Sequence, residues 1–192
     1  GHYYEKILRP DTALLFQYKA KEILEQQNQK IPLARIYDNI GSLYEDEGIY
    51  DSAHFYFRQS LIINHQVNDV NGQIVNLNNI RDIYRKRDEL EKSLIYTDSA
   101  LSLAEAYNID YQKRSAHRDF AKTYFLLQEY KKAYEHQEIA YEIYSEILSD
   151  ENSRRITLLQ TVYESERQEA RIQLLEKDKR INQILSFGII VL

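Results

Sequence analysis

The side chains able to do acid–base or metal chemistry are present but scattered. Histidines stand at His2, His54, His65, His117 and His136, and none falls in a spacing such as His-Glu-x-x-His that sets two ligands on one helix face. The glycines at 1, 41, 48, 72 and 188 are isolated, so no glycine-rich loop can cradle a phosphate. Cysteine is absent, which removes a thiolate metal site, a cysteine nucleophile and a disulfide scaffold. Glu45-Asp46-Glu47 reads as a solvated helix end, and His117 as a core side chain. No catalytic residue, metal ligand or cofactor is therefore expected, and the chemistry left is that of recognition. Asn39 and Asn79 lie 40 residues apart, and each amide offers a donor and an acceptor together. Arg118 and Lys122 lie one helical turn apart and can take an acidic group or a chain terminus.

The elements that must hold these groups follow from composition. Of 192 residues, 43% are hydrophobic and 29% charged, enough to bury a core. Five Gly and two Pro are too few for the tight turns of a sheet protein this long, so helices with short connections are expected. A net charge of -5 argues against a phosphate-backbone footprint, and no direct nucleic-acid binding is expected. Methionine is absent, the initiator included, so the sequence reads as trimmed at its front, where a signal peptide would be invisible.

A forty-residue period organises the chain. Tyr4, Tyr44, Tyr84 and Tyr124 share it, as do the small residues Ala13, Ala53, Ser93 and Ala133. Ala20, Ser60, Ala100 and Ala140 form a second small column, Pro10, Tyr50, Leu90 and Tyr130 a large one, and Ile40, Ile80 and Phe120 another. Small residues let neighbouring helices approach, and large ones fill the space between units.

These columns resemble the tetratricopeptide repeat. With a unit starting at Ala34, Gly41, Ala53 and Ser60 fall on that family's small positions, with Tyr44 and Phe57 on its large ones. Further units start at Ile74 and Arg114, after a partial unit ending near residue 30. The usual period is about 34, so longer helices or loops must absorb about six extra residues per unit. Arg81 and Ala121 replace the glycine of the first full unit. The resemblance implies an all-α, right-handed superhelical solenoid of helix pairs over residues 1–149, followed by a long C-terminal helix. Helices are expected at about 11–27, 31–47, 51–66, 72–87, 89–107, 111–127 and 131–148. Gly48 is a stop signal, Asp51-Ser52, Asp88 and Asp110 are candidate N-caps (Asp88 with Glu91 in a capping-box spacing), and Pro32 suits a first turn.

In this family the first helix of each pair lines a concave face that binds protein or peptide ligands. The resemblance places Asn39, Asn78, Asn79, Arg85, Arg118 and Lys122 there, with Asp38, Ser42 and Asp82 between them. The asparagines could grip the main chain of an extended peptide; the other reading is a solvated polar groove. Asp38 and Ser42 depart from the family's clamp for chaperone tails, which needs Lys and Asn there.

From 150 to 183 the chain is charged and lacks Gly and Pro, which predicts one helix of about 50 Å. Ile156, Leu159, Tyr163 and Ala170, then Leu174, Ile181 and Leu185, form a thin stripe interrupted by Glu166 and Lys177. It suits a coiled-coil-like seam for a homodimer or, alternatively, a helix capping the last repeat. Residues 184–192 are nearly all apolar and read as the start of a transmembrane segment near Ile184, cut short of the roughly 20 residues a span needs. The run Glu151-Asn152-Ser153-Arg154-Arg155-Ile156 with Leu159-Gln160-Thr161 and Tyr163-Glu164, before this apolar end, resembles bacterial membrane-anchored repeat sensors with a histidine kinase or helix-turn-helix output. That resemblance implies a non-catalytic sensory and interaction domain in the periplasm. Lys177, Lys179 and Arg180 before the apolar run favour the cytoplasmic alternative. The second functional reading is a soluble peptide-binding adaptor.

Overall fold

In a computed structural model the described residues are 10–190, with side chains described from Thr12 to Glu169 and at 171–173 and 177. They form seven helices: α1 Pro10–Gln26, α2 Lys30–Asp46, α3 Tyr50–Gln66, α4 Val70–Lys86, α5 Leu90–Ala106, α6 Asp110–Leu126 and α7 Tyr130–Ile190. Among the described residues there is no strand. Each of α1 to α5 packs on the helix that follows it. Tyr4 and Pro10 of the sequence columns lie where no side chain is described.

The first six helices are all 17 residues long, because one backbone device ends each of them. Asn28, Gly48, Asn68, Asp88, Asn108 and Gln128, twenty residues apart, have φ between 53° and 74°. After each, the next residue's N–H bonds back to the carbonyl five residues earlier, as Ile49 N does to Tyr44 O at 2.8 Å and Ile109 N to Ala104 O at 2.8 Å. The left-handed residue itself donates to the carbonyl three back, Gly48 N to Glu45 O at 3.0 Å. This is a Schellman closure, favoured by Gly and Asn because they reach positive φ at low cost. The six extra residues per unit therefore lie in longer helices, not longer loops.

Helix starts differ from the sequence expectation. Asp51, Ser52 and Asp110 lie inside the first turns, after N-caps at Ile49 and Ile109 that make no side-chain cap bond. Asp88 is the left-handed residue closing α4, with φ 59°, and Glu89 takes the N-cap place of α5 without capping it. The carbonyl-closing turn claims the position an N-cap would use. Asp69 does cap α4, its Oδ1 accepting from Gly72 N at 3.0 Å.

The last expected stop is also absent, and α7 runs unbroken from Tyr130 to Ile190 instead of ending near 148. The column that holds Asn28, Asn68 and Asn108 continues at Leu148, which favours helix and disfavours the left-handed region by about 1–2 kcal/mol. The chain divides into two compact units between Tyr144 and Ser145, the second being the rest of α7. In it Ile156, Leu159, Tyr163 and Ile172 are exposed. No helix among the described residues is long and apolar enough to cross a membrane. The expected segment from Ile184 falls where no side chain is described, and 191–192 lie outside the described residues.

Within the repeats the sequence columns are the core. Ala53, Ser93 and Ala133 are buried, as are Ser60, Ala100 and Ala140, and Ile40, Ile80 and Phe120. Each pair is closed by one stack at equivalent places: Tyr44 on Tyr56 at 5.7 Å, Tyr84 on Tyr96 at 5.3 Å and Tyr124 on His136 at 5.4 Å. The departure at Arg81 has a volume reason. A Cβ at Gly41 would lie 2.7 Å from the Phe57 ring, whereas the residue equivalent to Phe57 in the next unit is the smaller Thr97.

Two substitutions test this packing. Gly41→Ala should destabilise by about 1–3 kcal/mol through overpacking against Phe57. Ser93 is fully buried in an otherwise alanine column and its Oγ has no hydrogen-bond partner among the described residues. Ser93→Ala should therefore stabilise by about 1 kcal/mol, since it removes an unsatisfied buried hydroxyl. Urea unfolding of both variants, compared at equal slope, reads the two signs.

Candidate functional site

Helices α2, α4 and α6 meet through a polar face, and most of its groups are spent on one another. Asn76 Nδ2 donates to Asp38 Oδ1 at 2.6 Å, joining α4 to α2. Asn64 Nδ2 of α3 donates to Asn76 Oδ1 at 2.7 Å, and to Ser60 Oγ at 3.3 Å. One unit on, Arg81 Nη1 of α4 bonds Asp119 Oδ2 of α6 at 2.6 Å, with both side chains under a tenth exposed. Arg81 also pairs with Asp82 at 3.2 Å. Buried charge is tolerable here because each partner is met by others, so the arrangement fixes the register between units.

The sequence-nominated residues divide against this network. Asn78 is half-buried and its Oδ1 accepts from Arg81 Nη1 at 2.8 Å. Asn79 is half-buried and its Nδ2 reaches Asp38 Oδ1 at 3.5 Å. Arg85, also half-buried, pairs with Asp82, and its Nη1 lies 3.5 Å from Asp119 Oδ1. Lys122 is exposed and reaches Asp119 at 3.4 Å. Asn39 and Arg118 are exposed, and Arg118 has no ion-pair partner among the described residues. Arg85, Arg118 and Lys122 come together on one open groove of about 820 Å³, with Phe125, Tyr130 and Tyr134 as its apolar wall. Asn39, Asn78 and Asn79 do not line it.

Sequence reasoning missed the network's Asn64, Asn76 and Asp119, and the groove's aromatic wall. Asp119 was within reach, because it continues the column of Asn39 and Asn79. Tyr130 belonged to a recognised column, whose members Tyr50 and Leu90 are half-buried and buried, whereas Tyr130 is 58% exposed. His136 was also missed: it occupies the place of Tyr56 and Tyr96 and meets His117, Nδ1 to Nδ1, at 3.0 Å. One ring must donate and the other accept, so at most one of the two can be cationic while the bond holds. Among the described residues, no three or more His, Asp or Glu converge as a metal set.

Two groups give this face a pH response. Burial pushes the Asp38 carboxyl up to about 6, although the Asn79 and Asn76 amides pull it back toward ionisation. Burial lowers both imidazoles, with the His136 charge adding to it at His117, while Glu105 and Glu135 oppose the shift.

No family model matches the sequence, and no curated protein does. Solved structures do match its fold. BtubC from P. vanneervenii is 16% identical, with a TM-score of 0.67 over 76% of this chain and 61% of that one. Aspartyl phosphate phosphatase F from Bacillus subtilis is 18% identical, with a TM-score of 0.69 over 76% of this chain and 38% of that one. A signal transduction ATPase with numerous domains and a tetratricopeptide repeat sensor, from Pyrococcus horikoshii, is 26% identical, with a TM-score of 0.69 over 79% and 23%. This chain therefore spans less than two thirds of each. Its fold is that of a tetratricopeptide-repeat array followed by a long helix.

The ionisable groups predict opposite slopes. Folding lets Asp38 keep its proton up to about pH 6, where the unfolded chain releases it near 3.8, so its stabilising share is full below 3.8 and is lost as pH rises through 6. The two histidines bind protons less readily when folded, so their share is intact above about 6.5 and is lost as pH falls through the depressed folded values. Asp38→Asn should thus melt above the parent at pH 8, with the gain gone by about pH 4. His136→Tyr, which restores the column, should flatten the loss below pH 6.5. Thermal melts across pH 4–8 that run parallel for parent and variants would contradict both assignments.

Proposed function

We propose that this chain is a non-catalytic sensory and protein-interaction domain of a bacterial membrane-anchored signal-transduction regulator, its repeats in the periplasm. The observation that carries the reading is what the α2–α4–α6 face leaves over. After the internal network is made, Asn39, Arg118 and Lys122 still present exposed amide and cationic groups on that face. A surface with donors and cations aligned along a repeat axis suits a peptide or protein ligand, gripped by its main chain and acidic groups. The Pyrococcus protein, described as carrying this kind of repeat as a sensor in signal transduction, supports the sensory half of the reading.

The tail supports the transmission half. From Ser145 onward α7 is a helix whose Ile156, Leu159 and Tyr163 are each more than half exposed. A single charged helix with a thin apolar stripe gains stability when that stripe meets a second copy, and a weak seam lets two registers lie within a few kcal/mol. In this reading Ala170, Leu174 and Ile181 continue the seam toward a membrane segment beginning near Ile184.

Crosslinking in the membrane-embedded protein tests it. Tyr163→Cys, Ala170→Cys and Leu174→Cys, made singly, should each give intersubunit disulfides in oxidised membranes, with yields that change when a partner is bound. No crosslink at any of the three positions, with and without partner, excludes a dimeric signalling helix. Recovery of the parent protein in the soluble fraction would instead leave the adaptor reading.

A further inference from the structure

We infer that the open groove on α6 and the start of α7 is a docking site for an acidic amphipathic helix of a partner protein, which takes the place of the first helix of a further repeat. The inference rests on the protein-interaction reading and names the kind of partner and its seat.

The repeat itself shows what fits. The groove is walled by Ala121, Tyr130, Ala133 and Tyr134, with Arg118 and Lys122 beside them. Forty residues earlier, the places of Tyr130 and Ala133 hold Leu90 and Ser93 of α5, which are 7% and 0% exposed. Helix α6 packs on α5. One unit earlier again they hold Tyr50 and Ala53 of α3, and α4 packs on α3, with Ala53 fully buried. In the last unit Tyr130 and Tyr134 are 58% and 64% exposed, although Ala133 beneath them is at 8%. The same small-residue seat is built a third time without its helix. Phe125 stacks edge-on against Tyr130 at 5.5 Å, so the exposed rings form a wall and not a scatter of single side chains.

Charge selects the flank of the incoming helix. Where α6 docks on α4, it brings Asp119 to Arg81 and Arg85. At the open groove the cations are Arg85, Arg118 and Lys122, in a chain whose net charge is -5. Arg85 and Lys122 already face Asp119, so Arg118 is the cation with no ionic partner among the described residues. A helix with small and aliphatic residues at i, i+3, i+4 and i+7 and carboxylates along one edge matches both the seat and its rim.

The test uses the whole chain and a labelled synthetic helix matched in length to α6, with Ala and Leu on one face and Glu on one flank. Two twins accompany it: one with Lys in place of Glu, and one with a central proline that breaks the helix. Fluorescence anisotropy should show the acidic helix binding about ten-fold or more tighter than either twin. Arg118→Glu should reverse the preference between the Glu and Lys peptides. Tyr134→Asp should abolish binding, with Tyr130→Asp as the second groove variant should the first not fold by circular dichroism. Asn39→Ala, which lies off the groove, separates this seat from the rest of the polar face. Equal binding of the proline twin, or unchanged binding in both folded groove variants, overturns the proposal. Loss in Asn39→Ala without loss in the groove variants also overturns it, while leaving the interaction reading on the other part of the face. Two further results would assign another occupant and overturn it: concentration-dependent dimerisation abolished by Tyr134→Asp, or an intrachain disulfide between Tyr134→Cys and Leu159→Cys.

Discussion

Every interaction between units depends on one backbone constraint, the left-handed residue that closes a helix at each twentieth position. The two reverse hydrogen bonds it allows satisfy carbonyls that would otherwise be orphaned at the helix end. They also return the chain with no freedom in loop length. Six equal helices follow, so a residue and its counterpart 40 positions on meet the same surroundings. Without that equality the small columns would not lie opposite the helices they admit, and Tyr44, Tyr84 and Tyr124 would not each find a ring twelve residues later.

With the spacing fixed, side chains could change partner while keeping position. The first full unit places a ring, Phe57, over a glycine, Gly41. The next places Arg81 at the glycine position and Thr97 at the ring position, and the arginine then reaches forward to Asp119. Apolar packing within the first full unit thus gives way to a buried ion pair between the next two, while the Asn76 amide joins Asp38 and Asn64 across their helices. Buried polar contacts are poor at adding net stability and good at forbidding a shifted register, because a slip leaves a desolvated charge unpaired. A one-dimensional array, in which each unit meets only its neighbours, is where such a safeguard matters most.

The fold was legible in the sequence because column identity survives without knowledge of geometry. The tyrosine, alanine and isoleucine columns located the helix pairs and their buried faces. The twenty-residue half-period was also written there, in Asn28, Asn68 and Asn108, but three asparagines read as ordinary surface polar residues until their φ is known. Capping was misread for a related reason: Asp88 looks the same in sequence whether it opens a helix or closes one. The site was less legible. Asn78 and Asn79 were placed on the right helix, but their partners are not visible from the column: Asn79 reaches Asp38, 41 positions away, and Asn78 accepts from Arg81, three positions on. Asp38 and Asp119, which consume much of the polar face, become visible as partners only when adjacent helices are laid side by side.

That dependence on the neighbour also explains where free groups occur. Asp38 is answered by Asn76 of the next unit, and Arg81 by Asp119 of the next. Arg118 continues the column of Asp38 and Asn78, and the unit that would answer it would have to begin with a stop at residue 148. There the asparagine column has leucine, and α7 continues as helix. One residue unable to take the left-handed turn at low cost thus leaves α7 helical past 148, and among the described residues no further helix pair follows. Groups that are structural within the array become available for recognition at the first position where translation by one repeat finds no successor.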